Sequence, residues 1–319
     1  MRCIYLKNIN PYFCLAAEEY LLKNFNEDIF MLWQSENTVV VGKHQNALAE
    51  INYPFVRDNN IKVARRISGG GTVFHDAGNV NFAYIKNVAS PAEISFKIFT
   101  EPVVKALSKI GITATTSGRN DLLIGDLKIS GNAEHIYKNR VLHHGTLLFN
   151  TDLQNLSQAI KVIPGKYQDK AVQSNRSRVT NISNYLKEKI SVEEFIRFLI
   201  NVQLEDSSNS TMELSEKDVQ IIQKLVNEKF ETWMWNFGYS PKHTFKNTFR
   251  SNKKNLEIEL LVIKGIIDSS KIIGNFFSEE INQRLILKLA GERHHFEAIQ
   301  NILKKVLKTF PPELTNAFF

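Results

Sequence analysis

Only two cysteines occur in 319 residues, Cys3 and Cys14, so no disulfide framework can form and no cysteine-based metal spacing exists. That scarcity suits a reducing compartment. No apolar run approaches the roughly 20 residues needed to cross a bilayer. Lys7 and Asn8 interrupt the short apolar start, so no signal-peptide pattern is present. We therefore expect a soluble, cytoplasmic protein, or an organellar one if a transit peptide has been removed, with no membrane partner. Repeats and low-complexity tracts are lacking, as is any block of clustered Lys and Arg. The net charge of +7 consequently points to an anionic ligand or an acidic protein surface rather than to nucleic acid. No Gly-Lys-Ser/Thr follows the glycine-rich stretch, and no Gly-x-Gly-x-x-Gly occurs there, which excludes a Walker loop and a dinucleotide fingerprint.

What is present is concentrated in residues 64–84, ARRISGGGTVFHDAGNVNFAY. Two arginines lead into Ser68 and three glycines, then the apolar Val73-Phe74, then a polar turn and a second apolar-alternating run. The pattern predicts strand, glycine loop, strand, turn, strand. Glycines let a backbone approach a ligand closely, and successive N–H groups can cradle an anion. Arginines beside such a loop offer forked donors for phosphate or carboxylate. The bland alternative is a flexible hairpin tip followed by a capped turn at residues 75–79.

Along the rest of the chain, strands are expected at 2–6, 29–33 and 38–42, the last two joined by a polar turn. Asn10-Pro11 starts a helix to about residue 24. A short helix is expected at 51–59. Ser90 to Glu93 is a helix-start signal, and Pro102 should kink or divide that helix. A hairpin at 122–124 and 127–130 turns on Gly125-Asp126. Residues 164–177 form a polar loop. Ser191 with Glu194, and Ser215 with Asp218, are capping pairs, and Thr180 is a third cap. Beyond Pro241 the pattern changes to strands at 245–249 and 256–263 and helices at 278–289 and 296–310. Two domains follow, 1–243 and 244–319.

Lys128 lies on the second hairpin strand among glycine, hydroxyl and acidic neighbours. A lysine there can meet a phosphate oxygen and a carbonyl at once, although most strand lysines simply face water. Arg119 and Asp121, just upstream, could form an ion pair or contact Mg²⁺. His143 and His144 point to opposite faces of a strand, so they cannot share one metal ion, and one of them is expected as a hydrogen-bonded wall of the site. Trp33, Trp233 and Trp235 read as core aromatics.

Together the strings ARRISGGGTVFHDAGNVNFAY, SGRNDLLIGDLKISGNA, HHGTLLFNTDL, SNRSRVTN and the segment 233–238 resemble the lipoate–protein ligase A and lipoyltransferase family, in family order. The resemblance implies a mixed-sheet α/β catalytic domain of the biotin/lipoate-ligase type, with a small α/β C-terminal accessory domain. It implies ATP, Mg²⁺ and lipoate, lipoyl-AMP formation with release of pyrophosphate, and transfer to a lysine of an acceptor. Acceptors would be acidic lipoyl domains of 2-oxoacid dehydrogenase complexes or the glycine-cleavage H protein, and the enzyme a monomer. By position, Arg66, Gly71, Thr72, Val73, Phe74 and His75 would bind ATP and lipoyl-AMP. Arg119, Asp121, Thr146 and Ser177 would border the adenylate, and Lys128 would act as the catalytic residue. A transferase taking pre-formed lipoyl-AMP or another lipoyl carrier is the alternative. Cysteine-dependent octanoyltransferases of this fold are set aside, since no cysteine follows Cys14.

Overall fold

The computed structural model describes residues 1–89, 94–118, 120–175 and 177–319. The expected helix start at 90–93 and Arg119 lie outside the described residues. The chain forms two compact units. The first comprises Met1–Lys43, Ile61–Gln158 and Ser174–Thr232, and the second His44–Asn60, Ala159–Gln173 and Trp233–Phe319.

The first unit is built on an eight-stranded mixed sheet. In chain order its strands begin with β1 (Arg2–Leu6) and β2 (Ile29–Trp33), which are parallel. The next two, β3 (Thr38–Val41) and β4 (Lys62–Arg65), form a separate small sheet with β5 (Val73–His75). The chain returns to the large sheet with β6 (Asn79–Asn87), β7 (Thr115–Ser117), β8 (Asp121–Ile124), β9 (Leu127–Tyr137) and β10 (Arg140–Leu148). After β11 (Tyr167–Gln168) in the second unit, β12 (Ser210–Thr211) closes the large sheet, whose order is β12-β1-β2-β6-β10-β9-β8-β7.

Helix α1 (Pro11–Asn24) starts where Asn10 caps the backbone N–H of Tyr12 and Pro11 occupies the first turn, where its missing N–H costs nothing. Nearly all of α1 is buried, including Glu18 and Glu19. The helices Phe96–Lys109 and Val192–Leu204 contribute Phe99, Val103, Leu107, Phe195, Ile196 and Leu199 to a core shared with Phe30, Phe82, Tyr84 and Phe149 of the strands and their ends. Ser191 and Ser215 both make full capping boxes, with Glu194 and Asp218.

The strands expected at 29–33 and 38–42 both form, the second ending at Val41, but in different sheets: β2 pairs with β1 and β6 while β3 pairs with β4 and β5. Two expectations need correction. Pro102 does not divide its helix, which runs unbroken over Phe96–Lys109. The carbonyl deprived of its i+4 partner is that of Ile98, a residue 43% exposed, where water can replace the lost bond. Thr180 does not cap an α-helix; a short 3₁₀ turn follows at Ile182–Tyr185.

The second unit holds β13 (His243–Ser251), β14 (Lys254–Ile263) and β15 (Ile266–Gly274) as an antiparallel meander, with β11 beside β13. Helices Glu279–Leu289 and Phe296–Val306 belong to the same unit. It is therefore not made from the C-terminal segment alone. Trp233 and Trp235 are half-buried rather than core residues. Arg293 lies over the Trp233 ring at 5.1 Å, and Tyr239 lies beside Trp235 at 4.9 Å. Among the described residues no helix is long and apolar enough to cross a membrane.

In the first unit, Phe149 and Phe195 stack at 4.4 Å, both at most 1% exposed. Phe195→Ala should lower unfolding stability by about 3–5 kcal/mol, read as a shift of the urea midpoint at unchanged slope.

Candidate active site: a braced glycine loop and a strand lysine

The glycine loop joins β4 to β5 and is held from beneath by two buried arginines. Arg65 donates through Nη1 to the carbonyls of Gly42 (3.0 Å) and Lys43 (3.1 Å). Arg66 donates through Nε to Ser68 Oγ (3.0 Å), through Nη1 to the Val40 carbonyl (3.2 Å), and through Nη2 to the carbonyls of Gly69 (2.6 Å) and Gly71 (2.7 Å). Both arginines thus brace the loop through its main chain. Apart from Arg66 Nε, which meets the Ser68 hydroxyl, these donors are aimed at main-chain oxygens, because a loop without side chains or ladder pairing leaves carbonyls that need partners. Burial pulls the Arg66 guanidinium down to about 10, Glu18 opposing, so it stays charged at neutral pH.

Arg66 also sets the direction of the loop's N–H groups. Every peptide bond in the described chain is trans. A planar trans peptide points its C=O and its N–H in opposite directions. With the Gly69 and Gly71 carbonyls turned onto Arg66, the N–H groups of Gly70 and Thr72 point the other way. That of Thr72 donates to Ser174 Oγ at 2.8 Å. Gly70 adopts φ +84°, a region that disfavours side chains. A Cβ on Gly42 would lie 2.1 Å from the Gly70 carbonyl oxygen, so both glycines are needed for this approach.

A second chain of polar groups fixes Ser68. Its Oγ lies 2.6 Å from His144 Nε2, His144 Nδ1 lies 2.7 Å from Glu18 Oε2, and Trp33 Nε1 donates to Glu18 Oε1 at 3.1 Å. A Glu18 carboxylate can only accept, so Nδ1 carries the ring proton and, in the neutral ring, Nε2 accepts from Ser68. His144 is the hydrogen-bonded wall. His143 points the other way, stacked on Phe99 at 4.7 Å and held by Glu134 Oε1 at 2.9 Å. Sequence reasoning missed Glu18 and Ser68 as site groups. The available signal was a pair of acidic residues in an otherwise apolar helix.

His75 is buried edge-on to Trp33 at 5.4 Å, with no partner for either ring nitrogen. Burial first, then Arg66 and His144, pushes its pKa down to about 3, so it is neutral. Asp76 behaves as the bland alternative had it: its carboxylate caps Gly78 N (2.9 Å) and Asp152 N (2.7 Å). Phe74 is fully buried, while Gly71, Thr72 and Val73 are half-buried along the loop and strand.

Lys128 sits at the start of β9. Its Nζ meets Asp121 Oδ1 at 2.9 Å. Its backbone is gripped by the segment 177–180: Lys128 N donates to the Arg178 carbonyl (2.8 Å) and Thr180 N to the Lys128 carbonyl (3.0 Å). Separately, Ser174 Oγ holds the Thr72 N–H. Ser177 is exposed. Thr146 is buried on β10 and its Oγ1 accepts from Gly131 N at 3.2 Å. A Cβ on Gly70 would approach Ala133 of β9 to 3.8 Å, so the loop and the lysine strand share one wall. The structure thus brings Arg66 onto Gly71, and Asp121, Lys128 and Thr146 around Gly131, with Gly70 of the loop approaching Ala133 of the lysine strand, while Phe74 is buried. Among the described residues no group of three or more His, Cys, Asp or Glu side chains could cage a metal ion.

This arrangement defines a class of protein: an α/β fold with a glycine loop braced by buried arginines and a strand lysine paired with a carboxylate. A family model for the lipoyl protein ligase A/B catalytic domain matches residues 10–203, and one for the bacterial lipoate protein ligase C-terminus matches residues 240–319. The chain belongs to the lipoate–protein ligase family. Lipoate–protein ligase 1 of Staphylococcus aureus is 39% identical over 308 residues, which is 96% of this chain and 94% of that protein. A crystal structure of lipoate–protein ligase A bound with ATP is 27% identical with a TM-score of 0.65, covering 75% of this chain and 98% of its own. A bipartite lipoate protein ligase of Thermoplasma acidophilum, studied with its E2 lipoyl domain, is 28% identical with a TM-score of 0.65, covering 75% and 96%.

Two predictions follow from this geometry. Gly42→Ala should push the Gly70 carbonyl away and weaken ATP binding about tenfold or more by calorimetry, with the helical circular dichroism retained. His75 is neutral when folded, yet takes a proton near pH 6.5 once unfolded. The unfolded state therefore binds more protons below that pH, and folding stability should fall by up to about 1.4 kcal/mol per pH unit from pH 6.5 towards 3. His75→Gln should flatten the acid limb of a urea-midpoint series by that amount.

Proposed function

We propose that this chain ligates lipoate to protein in two half-reactions. A lipoate carboxylate oxygen attacks the α-phosphorus of ATP, the bond to the β-phosphate oxygen breaks, and pyrophosphate leaves. The neutral ε-amine of an acceptor lysine then attacks the acyl carbon, the acyl–phosphate bond breaks, AMP leaves, and the nitrogen loses a proton. Both steps gather negative charge on phosphate and carbonyl oxygens. Fixed donors aimed at that charge lower the barrier. The observation that carries this reading is the Lys128 ammonium held by Asp121, on a strand whose Ala133 is approached by the glycine loop that Arg66 braces, in a chain that matches ligases over nearly its whole length.

In this reading Lys128 meets the α-phosphate and the acyl carbonyl. Gly71, Thr72 and Val73 supply the backbone edge of the nucleotide site, Thr146 and Ser177 border the adenylate, and Arg66 acts by holding the loop. His75, neutral and buried against Trp33, belongs to the apolar wall behind it. We assign the catalytic role to residues 1–243 and an accessory role to 244–319.

Mg²⁺ fits only as an ion carried on the nucleotide, since such an ion keeps its waters and takes one or two carboxylates. Asp121, the carboxylate beside Lys128, is already engaged by that ammonium at 2.9 Å, so the ion would be held by phosphate oxygens and its own waters. When bound, the ion would neutralise phosphate charge. The acceptor is an acidic lipoyl domain of a 2-oxoacid dehydrogenase or the glycine-cleavage H protein, consistent with the protein's positive charge. The transferase-only alternative is not favoured, because a related ligase binds ATP.

Lys128→Ala should abolish lipoyl-AMP formation from ATP, Mg²⁺ and lipoate, read by mass spectrometry, with the fold intact. Normal ATP–pyrophosphate exchange in that variant would sink the assignment.

A further inference from the structure

We propose that Asp121 is a positioning residue that orients the Lys128 ammonium for adenylation, rather than a ligand of metal or nucleotide. The proposal rests on the role given to Lys128 above. It starts from a fault in the strand pairing. Leu122 pairs with Ser130 but Leu123 pairs with Lys128, so β9 carries one extra residue, Ile129, opposite a regular β8. In a regular strand, residues three apart face opposite sides of the sheet. The bulge shifts that alternation and brings Lys128 and Gly131 to one side.

The consequence is visible at Gly131. A Cβ built there would lie 3.1 Å from Lys128 Nζ and 3.2 Å from its Cε, so the lysine tail lies over the glycine. Directly across the ladder from Gly131 is Asp121, whose Oδ1 receives the ammonium at 2.9 Å. Bulge, missing side chain and cross-strand carboxylate together fix one path for the lysine. Neither partner is a free surface group: Lys128 and Asp121 are 22% and 24% exposed. The lysine backbone is held on its other edge by Arg178 and Thr180.

An ammonium has three N–H donors. Asp121 takes one. Two remain, one for an α-phosphate oxygen and one for the acyl carbonyl, which is the pair of contacts the proposed chemistry asks of Lys128. A freely rotating lysine would find that geometry only part of the time, and misplacement of a reacting group by about 1 Å can cost around a hundredfold in rate. The carboxylate also carries a cost of definite sign. Its negative charge faces an incoming polyphosphate and opposes nucleotide binding. Orientation and binding therefore respond in opposite directions to loss of the carboxylate, and neither a merely structural role nor a metal-ligand role shares that signature.

The test uses the full chain with Asp121→Ala, Asp121→Asn and Lys128→Ala, measuring single-turnover lipoyl-AMP formation, the KM for ATP and the melting temperature. Asp121→Ala should lower the adenylation rate about 10- to 100-fold with the KM for ATP unchanged or lower. Asp121→Asn, whose amide oxygen still accepts, should lose less. A normal rate in Asp121→Ala would overturn the proposal. So would a KM for ATP raised tenfold, which would make Asp121 a ligand of the nucleotide or its metal, or equal losses in both variants that track melting. If Lys128→Ala keeps wild-type adenylation, the role of Lys128 falls and this proposal with it. If only Lys128→Ala loses the step, Asp121 alone is wrongly assigned.

Discussion

The site depends on a buried guanidinium meeting main-chain carbonyls. Arg66 reaches Val40, Gly69 and Gly71 from one planar group, and Arg65 reaches Gly42 and Lys43. Three glycines in a row have no side chains to pack, so nothing in the loop itself selects one conformation. The arginine forks do, and peptide planarity then dictates where the opposite N–H groups point. A positive charge buried under the loop also biases its neighbourhood towards anions.

Around that brace the core is tied to the site by polar groups rather than by packing alone. Glu18 comes from the long buried helix, Trp33 from the end of β2, and His144 from the sheet centre, and they meet at Ser68. Groups so placed are costly to leave unpaired, which makes the arrangement all-or-none. Ser174 likewise holds Thr72, and Arg178 and Thr180 hold the Lys128 backbone. Loop shape and lysine position are each fixed by hydrogen bonds, while the hydrophobic core supplies the rigid frame on which both sit.

Local chemistry was the most legible part of the chain. Asn10-Pro11, the two serine capping boxes and the Gly125-Asp126 hairpin are interactions between residues a few positions apart, so their signal is contained in a short window. Less legible was β15, whose Asp268-Ser269-Ser270 centre hides the alternation of an edge strand. The allocation of β2 and β3 to different sheets was not legible either, since both read as short apolar runs separated by a turn.

By itself the sequence determined which residues are available for the chemistry: the glycines, the strand lysine, the order of the motif strings and the resemblance to one family. Side-chain identity and spacing decide those without reference to anything distant. Only the tertiary structure decided what each charge faces. The arginines look inward at carbonyls, the lysine is engaged by a carboxylate across a bulge, and an acid from the first helix holds a serine fifty positions away. A charge finds its partner through distance and burial in space, and neither is written in a local window of residues.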